Sequence, residues 1–174
     1  MPELERNALR PLICFLLASA MAHAAPARSE EDKGETKELK ALKSRARAPK
    51  PAEIDPAATL DALLTKTGPS DWSTSKGATI EGIVVQAERE EDGDLHLVLA
   101  PKGGERDTKK WVIVEATAAW QKKKVSLSRA SLKKLVGTTV KATGWLFYEP
   151  DDESKDPRGT NWEIHPATDI SAAR

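Results

Sequence analysis

Two short stretches of this chain set a carboxylate and a histidine two residues apart within a strand-like alternation. In Asp94-Leu95-His96-Leu97-Val98-Leu99 the leucines fall on one face of an extended chain, so Asp94 and His96 share the other. In Trp162-Glu163-Ile164-His165 the apolar pair takes one face, and Glu163 and His165 share the opposite one. A third stretch, Trp111-Val112-Ile113-Val114-Glu115, sends Trp111 and Glu115 outward if Val112 and Val114 face a core. Imidazoles and carboxylates together can hold a divalent metal or exchange protons. The candidate patch is therefore Asp94, His96, Glu115, Glu163 and His165. Within it, His96, His165 and Glu115 are the candidate metal ligands, and a divalent metal is the cofactor such a set would take. The alternative is that each histidine pairs with a carboxylate or a backbone carbonyl and only fixes strand register.

Aromatic residues cluster in the same strands, at Trp111, Trp145, Phe147, Tyr148 and Trp162. Exposed rings would stack on bases or sugars, which makes Trp111 and Trp145 candidate ligand-stacking residues, whereas buried ones would serve packing. The stretch 149–160 carries Asp151, Asp152, Glu153 and Asp156, an acidity that argues against a phosphate backbone as ligand. Calcium is an alternative for that stretch, but the glycine and alternating oxygen ligands of an EF-hand loop are missing. Arg158 beside Gly159 offers a single contact for an anion.

These residues need strands to position them, and from residue 79 the hydrophobic period is two. Five runs are expected, at 79–88, 94–100, 110–116, 139–148 and 161–170, with Glu91-Asp92-Gly93 as a hairpin turn between the first two. Gly82 is expected to permit a sharp bend in the first run. Between the third and fourth runs, Leu132, Leu135 and Val136 ahead of Gly137 describe one short helix over 128–137. Three strands, a helix and two strands give the order of a five-stranded OB-type barrel, a mainly β fold. In that topology the third strand lies between the second and the fifth, so the outward sets fall on adjacent strands. Ahead of the barrel, Asp55-Pro56 followed by Leu60, Leu63 and Leu64 predicts a short helix that packs on it.

The rest of the chain bounds the setting. Arg6 and Arg10, an apolar run over 12–22 and Ala22-His23-Ala24 follow the pattern of a secretory signal, so 1–24 is expected to be removed on export to the periplasm or beyond the cell. No transmembrane segment is expected after its removal. The one cysteine, Cys14, lies inside the apolar run, so the mature chain would hold no disulfide and no thiolate ligand. Residues 25–54 contain almost no large apolar side chain and read as a flexible linker, 55–75 as the short helix and its connection, and 76–172 as the barrel domain. Among the 174 residues, 27 lysines and arginines balance 27 aspartates and glutamates, so no global field attracts nucleic acid, and binding to it is expected to be weak or absent.

Three motifs, a D-x-D-x-H strand at 92–96, Val114-Glu115, and Glu163-Ile164-His165-Pro166, together resemble those of a group of uncharacterised bacterial exported proteins. This chain departs from that pattern at Ala167, where valine is usual. The resemblance implies an OB-like domain and singles out the same polar residues; it carries no activity with it. The first functional reading is an exported binding or interaction module. The alternatives are a metal-assisted hydrolase of the nuclease or phosphodiesterase kind, using the histidine and carboxylate patch, and a structural protein of the cell envelope.

Overall fold

The computed structural model describes residues 36–150 and 158–173. The signal segment 1–24, the first part of the linker and the acidic stretch 151–157 lie outside the described residues.

The strands are β1 (Gly77–Arg89), β2 (Leu95–Ala100), β3 (Val112–Ala116), β4 (Thr139–Tyr148) and β5 (Trp162–Ala172), closed into a barrel in the order β1-β2-β3-β5-β4. All neighbours are antiparallel except β3 and β5, which run parallel. The barrel is of OB type by this order, with β3 between β2 and β5 as expected. The alternation read from the sequence sets the two faces: Leu95, Leu97, Leu99, Val112, Val114 and Ile164 belong to the central core. Their neighbours His96, Glu115, Glu163 and His165 therefore point to the outer face.

Boundaries differ where turns intrude on the strand pattern. The third run was expected from residue 110, but Thr108–Lys110 forms a 3-10 turn and the strand begins at Val112. The hairpin turn at Glu91-Asp92-Gly93 forms as read, with Gly93 at φ 93°. Between β3 and β4 lie two helices rather than one, α3 (Ala118–Lys123) and α4 (Arg129–Lys133). Thr117 caps α3 and Ser128 caps α4, each hydroxyl accepting a backbone N–H of the first turn. A six-residue helix that buries only Trp120 carries too little periodicity to be seen in a sequence.

Two further helices precede the barrel, α1 (Lys37–Lys43) and α2 (Leu60–Thr65). Asp55 does not cap α2: its carboxylate accepts the Ala57 N–H, while the Thr59 hydroxyl accepts Ala62 N–H, so the helix starts at Leu60 and buries Leu60 and Leu63. The composition of 25–54 reads as a tether, yet its described part, from Thr36 onward, lies against the barrel. Trp120 Nε1 donates to the Arg45 carbonyl at 2.9 Å, Trp145 Nε1 donates to the Arg47 carbonyl at 2.8 Å, and Ile54 bridges Gly77. Indole hydrogen bonds and cation–π stacking hold this strap, so a scan for apolar side chains does not detect it.

Gly82 serves close approach rather than a bend. The register irregularity in β1 falls between Val84 and Gln86, whereas a Cβ on Gly82 would stand 2.6 Å from Leu60 Cδ1 and 3.0 Å from the Ala100 carbonyl oxygen. Gly82→Ala should therefore cost about 1–3 kcal/mol by overpacking. In a Leu60→Ala background the same change should cost less, because the methyl then has room, although truncating the buried Leu60 is itself destabilising. Urea unfolding of the two single variants and the double variant checks this, and strictly additive losses would rule out the contact as the cause.

Candidate functional site

The five patch residues do converge. His96 on β2 pairs in register with Glu115 on β3, and Val114 pairs with Ile164, which sets Glu163 and His165 of β5 beside Glu115. His165 Nδ1 stands 2.8 Å from Glu115 Oε2 and 3.7 Å from Glu163 Oε2. His96 Nδ1 stands 3.6 Å from Glu115 Oε1 and 3.6 Å from Glu90 Oε1. Asp94, just before β2, turns its Oδ1 to the Ala118 N–H at 2.7 Å, fixing the start of α3. Glu115 is thus the centre, shared between imidazoles from the strands on either side.

Arg158, read in sequence as a lone loop cation, forms an ion pair with Glu163, and both side chains are only 4 % exposed. The anion it meets is internal. No spacing signal ties Arg158 to Glu163, because the intervening Gly159-Thr160 turn decides the geometry. Lys43 of α1 approaches the same face, pairing with Glu149 at 2.7 Å and lying over Phe147, whose ring is 5.5 Å from that of His165.

His165 is 3 % exposed, yet among the described residues neither ring nitrogen has a hydrogen-bond partner of regular geometry. Its 2.8 Å approach to Glu115 is an ion-pair contact. Burial disfavours the imidazolium, but the two facing carboxylates outweigh it and push His165 up to about 10. Glu115 is raised by burial and lowered more by His165 and His96, so it ends below its ordinary value. Burial pushes Glu163 up, with His165 and Arg158 holding it back, and burial likewise raises Asp94 against the Ala118 N–H. Among the described residues, the donor atoms that lie close enough to share one cation are those of Asp94, Glu115 and His165, all within 4.8 Å of one another. The sequence pointed to His96 in place of Asp94. His96 instead stands on the far side of Glu115, engaged with Glu115 and Glu90.

Neither candidate stacking ring is an open platform. Trp145 is 3 % exposed, with the guanidinium carbons of Arg45 and Arg47 at 4.5 and 4.8 Å from its ring centroid. Burial, and then the charge of Arg47, lower the pKa of Arg45. Trp111 is half-buried before β3 and donates Nε1 to the Glu105 carbonyl at 3.2 Å. A separate groove of about 480 Å³ runs between α2 and the barrel, lined by Thr59, Asp61, Glu81, Lys102 and Thr139 among others.

No family model and no curated protein matches this chain. Among solved structures it is similar to asparaginyl-tRNA synthetase from Entamoeba histolytica in complex with asparaginyl-adenylate, at 15% identity over 56% of this chain and 20% of that one, with a TM-score of 0.39. A second structure of that enzyme gives 16% identity, the same coverages and a TM-score of 0.38. A Leishmania major Friedlin protein described as an aspartyl-tRNA synthetase gives 10% identity over 74% of this chain and 21% of that one, with a TM-score of 0.42. The chain spans about a fifth of the length of these proteins. Among the described residues, no helix is long and apolar enough to cross a membrane.

The network makes stability depend on pH. Folded His165 titrates near 10 and unfolded imidazole near 6.5, so its contribution is complete below 6.5 and is lost as pH rises through 10. Glu163, raised by burial, also costs stability as pH rises above its ordinary value of 4.5, whereas the lowered Glu115 contributes stability that disappears in acid. Urea unfolding should give a free energy that falls between pH 6.5 and about 10, and His165→Gln should remove most of that slope. An unchanged slope in the variant would show that other groups set it.

Proposed function

We propose that this chain is an exported binding module, with the outer face of β2, β3 and β5 as its ligand site. One observation carries the reading: His165 is buried among carboxylates from neighbouring strands, with Nδ1 2.8 Å from Glu115 and Nε2 without a hydrogen-bond partner among the described residues. A buried polar atom left unsatisfied costs about 1–3 kcal/mol, and fully apolar replacement of a buried ionic cluster is often neutral or stabilising. A fold that retains such a cluster with a donor left over is served by a ligand that engages it. Export rests on the signal pattern of 1–24.

The chemistry of the face selects against polyanions. Asp94 and Glu115 are the partly exposed charges of that face, and equal totals of basic and acidic residues leave few phosphate contacts to gain. The Trp145 ring, the other candidate handle for bases or sugars, is already stacked by Arg45 and Arg47.

A thermal-shift panel of metal chlorides, amines, sodium phosphate, short oligosaccharides and single-stranded oligothymidylate tests this reading on the purified protein. At about a hundred times its dissociation constant, a ligand stabilises the folded state by about 2.7 kcal/mol, a shift of several degrees. At least one cationic or neutral probe should give such a shift in the wild type and lose it in Glu115→Gln, with oligothymidylate weak and suppressed by salt. A panel that leaves the wild type unmoved, or that shifts both proteins equally, would return the patch to a purely structural role.

A further inference from the structure

We infer that Asp94, Glu115 and His165 form a site for a divalent transition-metal ion, zinc in the first place. This deepens the reading of the outer face as a ligand site and rests on it.

The first ground is donor convergence. One oxygen from each carboxylate and one imidazole nitrogen lie within 4.8 Å of one another, contributed by the turn before β2, by β3 and by β5. Zinc holds nitrogen and oxygen donors at about 2.0–2.2 Å, which sets donors in a tetrahedron about 3.4 Å apart. From 4.8 Å, the widest pair must close by at most about 1.4 Å, a movement on the scale of side-chain tips. The second ground is the burial of His165: it is 3 % exposed, its Nε2 has no hydrogen-bond partner among the described residues, and its Nδ1 faces Glu115 Oε2 at 2.8 Å, so that zinc takes the place of the imidazolium proton and binding releases it.

The surroundings orient the donors as outer partners orient metal ligands. Asp94 keeps Oδ1 on the Ala118 N–H at 2.7 Å, and Glu115 has His96 Nδ1 3.6 Å from its Oε1. Size and charge narrow the class of ligand. Asp94 and Glu115 are partly exposed and His165 is buried, so a single ion suits the place better than a sugar or a base. Two carboxylates neutralise a divalent charge in a place with little water, and one imidazole with two carboxylates suits zinc or manganese. Calcium takes six to eight oxygens, which these residues do not supply.

Isothermal titration of the purified protein with zinc chloride should show one ion per chain. Asp94→Asn and His165→Gln should each weaken binding at least tenfold, and His96→Gln should weaken it less than either. Cobalt in place of zinc should give visible absorption of low-coordinate character, lost in the same two variants. Circular dichroism monitors folding, and Asp94→Asn carries the test if His165→Gln unfolds, because Asp94 lies outside the strand ladder. No zinc binding, or affinity equal in wild type and Asp94→Asn, overturns the inference. If zinc fails while another panel probe still loses its shift in Glu115→Gln, the ion assignment falls and the ligand site stands. If no probe binds, both fall.

Discussion

The barrel depends on its closure between β3 and β5, where the backbone contributes least. Those strands run parallel and are joined in register at Val114 and Ile164, whereas β4 and β5 pair along most of their length, from Val140 with Ala172 to Tyr148 with Trp162. A seam this short leaves the alignment of β5 to side chains. On the inside Val114 and Ile164 pack in the common core; on the outside Glu115 of β3 meets His165 of β5. Glu115 also reaches back to His96 of β2, so one carboxylate spans three strands. The patch is consequently both the latch of the barrel and its most polar buried place.

Much of this arrangement was legible in the residues. Alternation of leucine with Asp94 and His96, and of Trp162 and Ile164 with Glu163 and His165, assigns faces because side chains point to opposite sides with period two. The run 139–148 coincides with β4, since Val140, Ala142 and Leu146 keep strict phase on the core side. Register was not legible. A slip of two residues preserves every face while moving a side chain by nearly 7 Å, so the sequence alone could not separate Asp94 from His96 as the partner in the cation-compatible set. The Arg158 contact with Glu163 was hidden for a related reason, because the path of the chain between them, not their spacing, brings the pair together.

The strap was illegible for a different reason. Hydrophobic burial is the usual currency of folding, and residues 36–50 have little of it to contribute. Their attachment instead uses backbone carbonyls as acceptors for two indoles, with guanidinium groups on one of those rings. Two like charges on one indole repel, and the lowered pKa of Arg45 reports that repulsion together with burial. Glu53 relieves it by holding Arg47 through two hydrogen bonds of 2.6 and 2.9 Å, and the Thr74 carbonyl accepts from Arg45 at 2.7 Å. Composition measures how apolar a segment is and is blind to such pairings.

A buried ionic cluster is a weak source of stability, because removing charges from water costs several kcal/mol per ion before their attraction returns any of it. The seam could have been closed with aliphatic residues, as the inner side of the same strands demonstrates at Val114 and Ile164. The outer side instead combines two imidazoles, three carboxylates and Arg158. Cross-strand specificity explains the paired groups, since charges that must meet fix register where a short parallel ladder does not. It does not explain the buried Nε2 of His165, which has no hydrogen-bond partner among the described residues. That mismatch between what closure requires and what the face contains separates a latch from a site, and it is centred on His165.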